Sequence, residues 1–148
     1  MKIAPMTKDD IPALVNMGRL MHEESAYAWL PFSAEKCKEL GHFILGNPET
    51  QCCFVAHAPC PIGMIAGYLT DYWFGAGKLA QDRFWYVAPS HRGGSAGMRL
   101  MATWVEWARD ADEICNGVST EIDTERTGAL LERLGFRKVG LIYKRKVD

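Results

Sequence analysis

The chain has 148 residues, a hydrophobic share of 48% and a formal net charge of −1 at neutral pH. Its length suits one domain with a real core, and its composition excludes a disordered chain. The near-neutral charge gives no general attraction to nucleic acid or to a membrane surface. No apolar run approaches the roughly 18 residues of a membrane-spanning helix, and the polar start is not typical of a signal peptide. We therefore expect one cytoplasmic domain over residues 1–148.

The cysteines and histidines predict neither disulfides nor a metal. Five cysteines form an odd number and lack the Cys-x-x-Cys spacing of zinc sites. The four histidines show no shared spacing with other ligand types. Small core residues in a reducing compartment are the expected role of the cysteines.

The first third of the chain predicts one strand and two helices. Thr7-Lys8-Asp9-Asp10 is typical of a helix start, with Asp9 or Asp10 as the cap. Ser33 is expected to cap the second helix, after an aromatic-rich loop at 25–32. The predicted elements are a strand at Lys2–Pro5, a helix that ends at Glu24, and a helix at Ala34–Leu45.

Three strands follow, separated by turn-forming segments. The turns are expected at Ala58-Pro59-Cys60-Pro61 and Gly75-Ala76-Gly77. Glycines within the second strand indicate a bulge or a close backbone approach. The three strands should pair as an antiparallel meander, and their predicted ranges are Gln51–His57, Ile62–Phe74 and Lys78–Val87.

A glycine-rich segment after the third of these strands is the most specific feature of the sequence. The apolar run at 84–87 leads into Arg92-Gly93-Gly94-Ser95-Ala96-Gly97-Met98, and an amphipathic helix follows to Ala108. A helix start offers unpaired N–H groups and a positive dipole end, so it suits an anion. Arg92 adds donors suited to phosphate. An ordinary strand-to-helix loop is the alternative, whereas P-loop and dinucleotide fingerprints do not fit the spacing.

The last third predicts a parallel strand, a helix and a final strand. A strand at Ile114–Thr120 should run parallel to Lys78–Val87 through a right-handed crossover. Thr124 should cap a fourth helix that Gly135 ends, and Phe136–Val147 should form the last strand. We expect an α/β domain with a mixed, mostly antiparallel sheet, helices on both faces and the order β-α-α-β-β-β-α-β-α-β. The basic residues near the C-terminus are expected to lie on a solvated sheet edge rather than bind phosphate. They are Arg137, Lys138, Lys144, Arg145 and Lys146.

Two segments resemble the GCN5-related N-acetyltransferases (GNAT). Val87-x-Pro89-x-x-Arg92-Gly93-x-x-x-Gly97 is similar to their acetyl-CoA pyrophosphate loop, Arg/Gln-x-x-Gly-x-Gly/Ala, with Ser95 where glycine is usual. The segment 124–136 resembles Asn-x-x-Ala-x-x-Leu-Tyr-x-x-x-Gly-Phe, with Thr124 in place of the asparagine. The resemblance covers the whole chain in element order and is strong from Phe84 to Phe136.

The resemblance implies a single GNAT-like domain over residues 1–148 that transfers an acetyl group from acetyl-CoA to a primary amine of a small molecule or peptide. It implies that backbone N–H groups on the third meander strand hold the pantetheine arm and the thioester oxygen, which requires the strand at 114–120 to diverge. The loop and helix after the first helix would shape the acceptor pocket. The implied cofactor contacts are Trp85, Tyr86, Val87, Arg92, Gly93, Gly94, Ser95, Ala96, Gly97, Met98 and Thr124.

The acid and base of the family are not matched. Leu131 stands where many members have a proton-donating tyrosine, and Gln81 stands where some have a basic glutamate. Asp71 is the tentative substitute for the base; His91 is expected to face solvent or phosphate. A module of the same fold that binds CoA without turnover stays an alternative, and so does a protein that interacts through an exposed sheet edge. A homodimer is compatible with the sequence, whereas metal, nucleic acid and membrane partners are not expected.

Overall fold

The computed structural model describes all 148 residues. A five-stranded sheet in the order β1-β2-β3-β4-β5 carries helices on both faces. None of the helices has the length and apolar content that crossing a bilayer requires. The elements are β1 (Lys2–Pro5), α1 (Ile11–Glu24), α2 (Ala34–Gly46), β2 (Gln51–His57), β3 (Pro61–Asp71), β4 (Lys78–Val87), α3 (Ala96–Trp107), β5 (Glu113–Cys115) and α4 (Thr124–Arg133).

The strand pairing confirms the predicted topology. Strands β1 to β4 pair antiparallel in sequence order, and β5 pairs parallel with β4. Short turns join β2 to β3 and β3 to β4, helices α1 and α2 connect β1 to β2, and the parallel pair needs the crossover that α3 provides. The α/β class and the element order through the fourth helix are confirmed.

Two hydrophobic cores lie on opposite faces of the sheet. Neighbouring residues of a strand point to opposite faces, so Met64 and Ala66 pack toward α1 and α2 while Ile65 packs toward α3. On α3, Leu100 and Trp104 are fully buried, as the helical spacing predicts. Both faces of the sheet are therefore covered, and only its edges and ends can carry a site.

A β-bulge confirms the close approach that the glycines of β3 predict. Ala66 pairs with Phe84 and Gly67 pairs with Asp82, so one residue of β4, Arg83, has no partner on β3. A Cβ atom on Gly67 would lie 2.2 Å from Nε1 of Trp104, closer than any real contact. The indole of α3 therefore packs on bare backbone here. A bulge bends its strand and changes the direction of the neighbouring side chains.

The helix ends follow from local hydrogen bonds. Ser33 caps α2 by accepting from Lys36 N at 3.2 Å, as predicted. Gly135, with φ of +91°, ends α4 in a Schellman arrangement, since Phe136 N donates to Leu131 O at 3.0 Å. Thr124, however, does not cap α4. Asp123 is the cap, because its carbonyl accepts the first helical bond, from Thr127 N at 2.9 Å.

The strand predicted at Ile114–Thr120 is shorter than expected. Strand β5 ends at Cys115, and the next residues leave the sheet. Their backbone groups find other partners: Gly117 N donates to Asp82 Oδ1 at 2.8 Å, and Thr120 O accepts from Ala26 N at 2.9 Å. A side-chain contact with β4 and a backbone contact with the loop after α1 therefore replace backbone pairing with β4.

The last predicted strand, Phe136–Val147, is not formed. Residues beyond Phe136 make no backbone–backbone hydrogen bond, and Val139 and Tyr143 are 77% and 86% exposed. A strand here would need a neighbouring edge, and β5 offers only three residues. We call residues 137–148 the tail. Similarly, β3 ends at Asp71 rather than Phe74, since Trp73 and Phe74 project into solvent.

All five cysteines are free. Cys52 and Cys53 are buried in β2, one toward each core, as expected for small core residues. Cys60 departs from that expectation because it is exposed in the turn between β2 and β3.

Candidate functional site

The sheet opens between β4 and β5. Their pairing ends at Gln81 opposite Cys115, so the rest of β4 has a free backbone edge on that side. A cleft of about 580 Å³ occupies the opening. Its walls are β4, the loop at 91–98, the segment at 116–123 and one side of α4. The divergence required by the sequence interpretation is therefore present, although the diverging segment is not a strand.

Most of the predicted cofactor contacts line this cleft. Those that do are Trp85, Tyr86, Val87, Arg92, Gly93, Gly94, Gly97 and Met98. Ser95 and Ala96 form the turn into α3, where Ala96 is buried beneath the loop. Thr124 and Asp71 are not among the lining residues.

The glycine-rich loop presents the start of α3 to the cleft. Gly93 adopts φ of +86°, a conformation that favours glycine, and the chain turns into the helix after Ser95. No side chain caps the first N–H groups of α3. The positive end of the helix dipole and its unpaired donors therefore suit an anionic ligand.

The guanidinium of Arg92 is already engaged within the protein. Its Nε donates to Val87 O at 2.8 Å, and its two terminal nitrogens donate to the two carboxylate oxygens of Glu24 at 2.7 and 2.9 Å. The Tyr86 hydroxyl donates to the same carboxylate at 2.6 Å. Arg92 thus ties the loop to the end of α1, and two of its five N–H donors remain for a ligand.

The charges in this cluster support one another. The hydrogen bond from Arg92 lowers the pKa of Glu24, and the same bond raises the pKa of Arg92. Burial, with the nearby Glu24 carboxylate, raises the pKa of Tyr86 above its usual range. The ion pair and the neutral tyrosine are therefore the stable forms at neutral pH.

The sequence predicts Glu24 only as the end of the first helix. One signal was available there: a carboxylate in the last turn faces the negative end of the helix dipole, which is unfavourable without a compensating cation. Its partner could not be identified from the sequence, because Arg92 lies 68 positions away.

A half-buried carboxylate lies where the sheet opens. Oδ1 of Asp82 accepts from Gly117 N and from Nε2 of Gln81, both at 2.8 Å. Burial raises the pKa of Asp82, and the two hydrogen bonds oppose that shift. Asp71 lies elsewhere, at the opposite end of β4 from the glycine-rich loop, where it pairs with Lys78 and is 74% exposed.

Further polar groups line the cleft, and of their residues only Trp85 is among the predicted cofactor contacts. Nε1 of Trp85 and Nδ2 of Asn116 are buried donors without a protein partner, and both residues line the cleft. Arg126 and Arg133 bring positive charge from α4. Leu131, at the family tyrosine position, instead packs into the core beside α3.

Comparisons with known proteins agree with this arrangement. The model of the Acetyltransferase (GNAT) family matches residues 17–136. No curated protein sequence matches the chain. Among solved structures, the aminoglycoside acetyltransferase AAC(6')-Iy with the bisubstrate analogue CoA-S-monomethyl-acetylneamine has a TM-score of 0.78 at 19% identity, over 99% of this chain and 98% of that chain.

Two further structures are similar. Apo AAC(6')-IG from Acinetobacter haemolyticus has a TM-score of 0.73 at 16% identity, over the whole of both chains. An acetyltransferase from Trypanosoma brucei has a TM-score of 0.74 at 16% identity, over 99% of each chain. At these identities the likeness supports the fold, and the cleft must be interpreted from its own residues.

Proposed function

Since the chain belongs to the acetyltransferase (GNAT) family and is an acyltransferase, we propose that it transfers an acetyl group from acetyl-CoA to a primary amine of a small molecule or peptide. One observation carries the proposal. The free edge of β4, the uncapped start of α3 and the Asp82 carboxylate all face one cleft.

The cleft fits acetyl-CoA in both shape and chemistry. Its volume and the unpartnered donors of Trp85 and Asn116 suit a polar ligand. The start of α3 would hold the pyrophosphate, with Arg92 and Arg126 as nearby cations. Acetyl-CoA would supply an activated thioester carbonyl and a thiolate leaving group.

N–H groups alternate between the two edges of a strand, and Ala88 N donates to Ile62 O on the β3 side, so the N–H groups of Trp85 and Val87 face the opening. These two groups would bind the pantetheine arm and polarise the thioester oxygen. Oriented donors of this kind are typically worth about 2.7–4 kcal/mol each in a transition state. They are already fixed, because the other edge of β4 is paired with β3. Little reorganisation is needed when the carbonyl oxygen gains charge.

Asp82 is the best candidate for the general base. The attacking amine must lose a proton as its nitrogen bonds to the carbonyl carbon and the C–S bond breaks. A carboxylate with a raised pKa is a stronger base than an exposed one, and Asp82 lies in the cleft. Asp71 stays an untested prediction, and its position favours Asp82 for this role.

No side chain takes the place of the family tyrosine. Leu131 cannot donate a proton, and the Tyr86 hydroxyl already donates to Glu24. A thiol pKa of about 8.5 makes a thiolate a tolerable leaving group without acid help. We therefore propose a positioning-dominated reaction in which water protonates the sulfur.

Calorimetry with CoA tests the site. Gly97→Leu should weaken CoA binding at least about tenfold, because the side chain enters the cleft wall. Gly97→Ala is the matched control: its Cβ would meet Trp85 at 3.5 Å, an ordinary contact, so affinity should be nearly kept. Equal affinity in all three proteins would contradict the loop assignment.

Free-thiol release from acetyl-CoA across a panel of amines tests turnover. Release that depends on the amine supports transfer. CoA binding with no release for any amine would favour the module that binds without turnover. The single domain over 1–148, a cytoplasmic location and a homodimer stay predictions.

A further inference from the structure

Two aromatic rings of the loop between α1 and α2 each contact a lysine ammonium group of the tail. Lys144 Nζ lies 4.5 Å from the ring centroid of Tyr27, and Lys146 Nζ lies 4.3 Å from that of Trp29. The tail makes no backbone–backbone hydrogen bond. These side-chain contacts are therefore a principal attachment of the tail to the rest of the molecule.

Such contacts are specific for cations. The face of an aromatic ring carries negative charge density, and an ammonium within about 6 Å of its centroid is attracted to it. Trp29 is 55% exposed, so its ring can also be reached from solvent. The loop therefore presents two neighbouring binding positions for ammonium groups, one on each ring.

These two binding positions, on the rings of Tyr27 and Trp29, lie beside the proposed acyl-transfer cleft. Lys144 Nζ also donates to Ser119 O at 2.7 Å, and Ser119 lines the cleft. Ala26 N donates to Thr120 O at 2.9 Å, which fixes the aromatic loop to the same wall. An ammonium on Tyr27 is thus held at the rim of the cleft.

We propose that Tyr27, Trp29 and the Ser119 carbonyl form the acceptor subsite for a flexible substrate that carries two or more ammonium groups. Lys144 and Lys146 occupy this subsite until the substrate displaces them. The inference rests on the proposed acyl transfer, since it names the acceptor of that reaction. A second ammonium would anchor the acceptor while a free amine reaches the thioester.

Displacement is energetically accessible. Each exposed ring–ammonium contact is weak, and the tail has no backbone pairing to lose. A substrate with several ammonium groups can replace both contacts at once. The tail acts as an internal competitor, so its removal from the rings should tighten binding.

Calorimetric titration of the full chain with spermidine tests the subsite. Lys144→Gln with Lys146→Gln should lower the Kd for spermidine about three- to tenfold. Lys138→Gln with Arg145→Gln is the matched control, because it removes the same charge from tail residues that lie on no aromatic ring. The control should change Kd less than twofold.

A second pair of variants tests the ring itself. Trp29→Leu should raise the Kd for spermidine about two- to fivefold, which corresponds to the loss of one exposed cation–π contact. Trp73→Leu should leave it unchanged, since Trp73 is an even more exposed indole, at 93%, but lies away from the tail in the turn between β3 and β4. Circular dichroism checks that each variant is folded.

The outcomes separate the two proposals. Equal changes in both tail double variants, or a Kd insensitive to Trp29→Leu, would overturn the acceptor subsite even if the chain releases thiol with another amine. The expected pattern of Kd values without thiol release would keep the subsite and overturn the acyl transfer. Absence of spermidine binding in the wild type and in the Lys144/Lys146 variant would also overturn the subsite.

Discussion

Asp82 carries a charge that its surroundings disfavour. Asp82→Asn removes the charge and keeps an oxygen that can accept from Gly117 N. We expect kcat to fall by about 10²–10⁴. The melting temperature should stay equal or rise, because burial of the ionised carboxylate is a cost at neutral pH. Thiol release and thermal denaturation measure the two effects.

Titration of Asp82 should change stability and activity with pH in opposite directions. A raised pKa means that the folded state holds the Asp82 proton more tightly than the unfolded chain does. The destabilising effect of the Asp82 charge is therefore absent at low pH and appears as pH rises through the pKa of the folded state. The value of kcat/KM should rise over the same pH range, because the carboxylate becomes available as a base. Asp71→Asn is the control and should change neither quantity; activity that depends on Asp71 instead would reverse the assignment.

The ion pair between Glu24 and Arg92 stabilises the folded state more as pH rises, whereas the charge of Asp82 destabilises it as pH rises. Glu24→Gln should destabilise the protein at pH 7, by no more than about 1 kcal/mol, since the pair is partly exposed. The pKa of Glu24 is lowered, so this stabilisation is present above the unfolded pKa and is lost as pH falls through the folded pKa. Urea unfolding at neutral and acidic pH measures the difference.

Glu23→Gln is the matched control for that measurement, because Glu23 is exposed and precedes Glu24 on the same helix. A loss of stability that is equal in the two variants, or that persists in acid, would show that the Arg92 contact is not its source. CoA affinity should fall only in Glu24→Gln, where the glycine-rich loop loses its tie to α1.

At the level of single residues, the sequence located the backbone segments that line the cleft better than the side-chain partners within it. Arg92 and Gly97 belong to one local motif that resembles the family's pyrophosphate loop, and both line the cleft; their contact with CoA stays a prediction. Asp82 has no family motif to mark it, unlike its neighbour Gln81, which stands at a position where some members have a glutamate. Whether a side chain of β4 lies beside Gly117 depends on the bulge and the divergence of the next segment, which no local pattern reveals.

Among the elements, the bulge between β3 and β4 leaves no room for a side chain at Gly67. Gly67→Ala would place Cβ 2.2 Å from Trp104 Nε1 and 2.9 Å from the backbone oxygen of Gln81. We expect a loss of at least about 1–3 kcal/mol, because a buried ring and a strand must both shift. Urea denaturation measures it.

Gly128→Ala provides the contrast. Gly128 lies within α4, and an added Cβ meets nothing within 4 Å. Alanine should therefore stabilise the protein by up to about 1 kcal/mol through helix propensity. If both alanine variants had the same stability, the packing of Trp104 on Gly67 would not be rigid.

Strands were predictable where pairing partners follow one another along the chain. The ranges of β1, β2 and β4 are as predicted, because each pairs antiparallel with a strand next to it in strand order. Helices α1 and α2 connect β1 to β2, and short turns connect β2 to β3 and β3 to β4. The strand predicted at 114–120 was too long and the strand predicted at 136–147 was wrong, both for a nonlocal reason. An apolar stretch forms a strand only if a sheet edge is free, and the divergence at Cys115 removes most of that edge.

For the whole molecule, the cleft couples ligand binding to stability. A ligand that binds only the folded state adds about 2.7 kcal/mol at a concentration of 100 times Kd. For a domain of this size, saturating CoA should raise the melting temperature by roughly 5–10 °C. Scanning calorimetry with Gly97→Leu as control measures this; an equal rise in both proteins would place the ligand outside the cleft.

The distribution of the five free cysteines decides how turnover can be observed. A chromogenic disulfide that reports released CoA also reacts with protein thiolates. Burial raises the pKa of Cys52 to about 12 and also raises the pKa of Cys53. Both thiols therefore stay protonated at neutral pH and should not react with the reagent. Exposed Cys60 should consume close to one equivalent of reagent before any substrate is added. Cys60→Ser removes this reaction and leaves the half-buried Cys37 and Cys115, whose pKa values burial raises, to react slowly. Against that low baseline even a slow acetyltransferase becomes measurable.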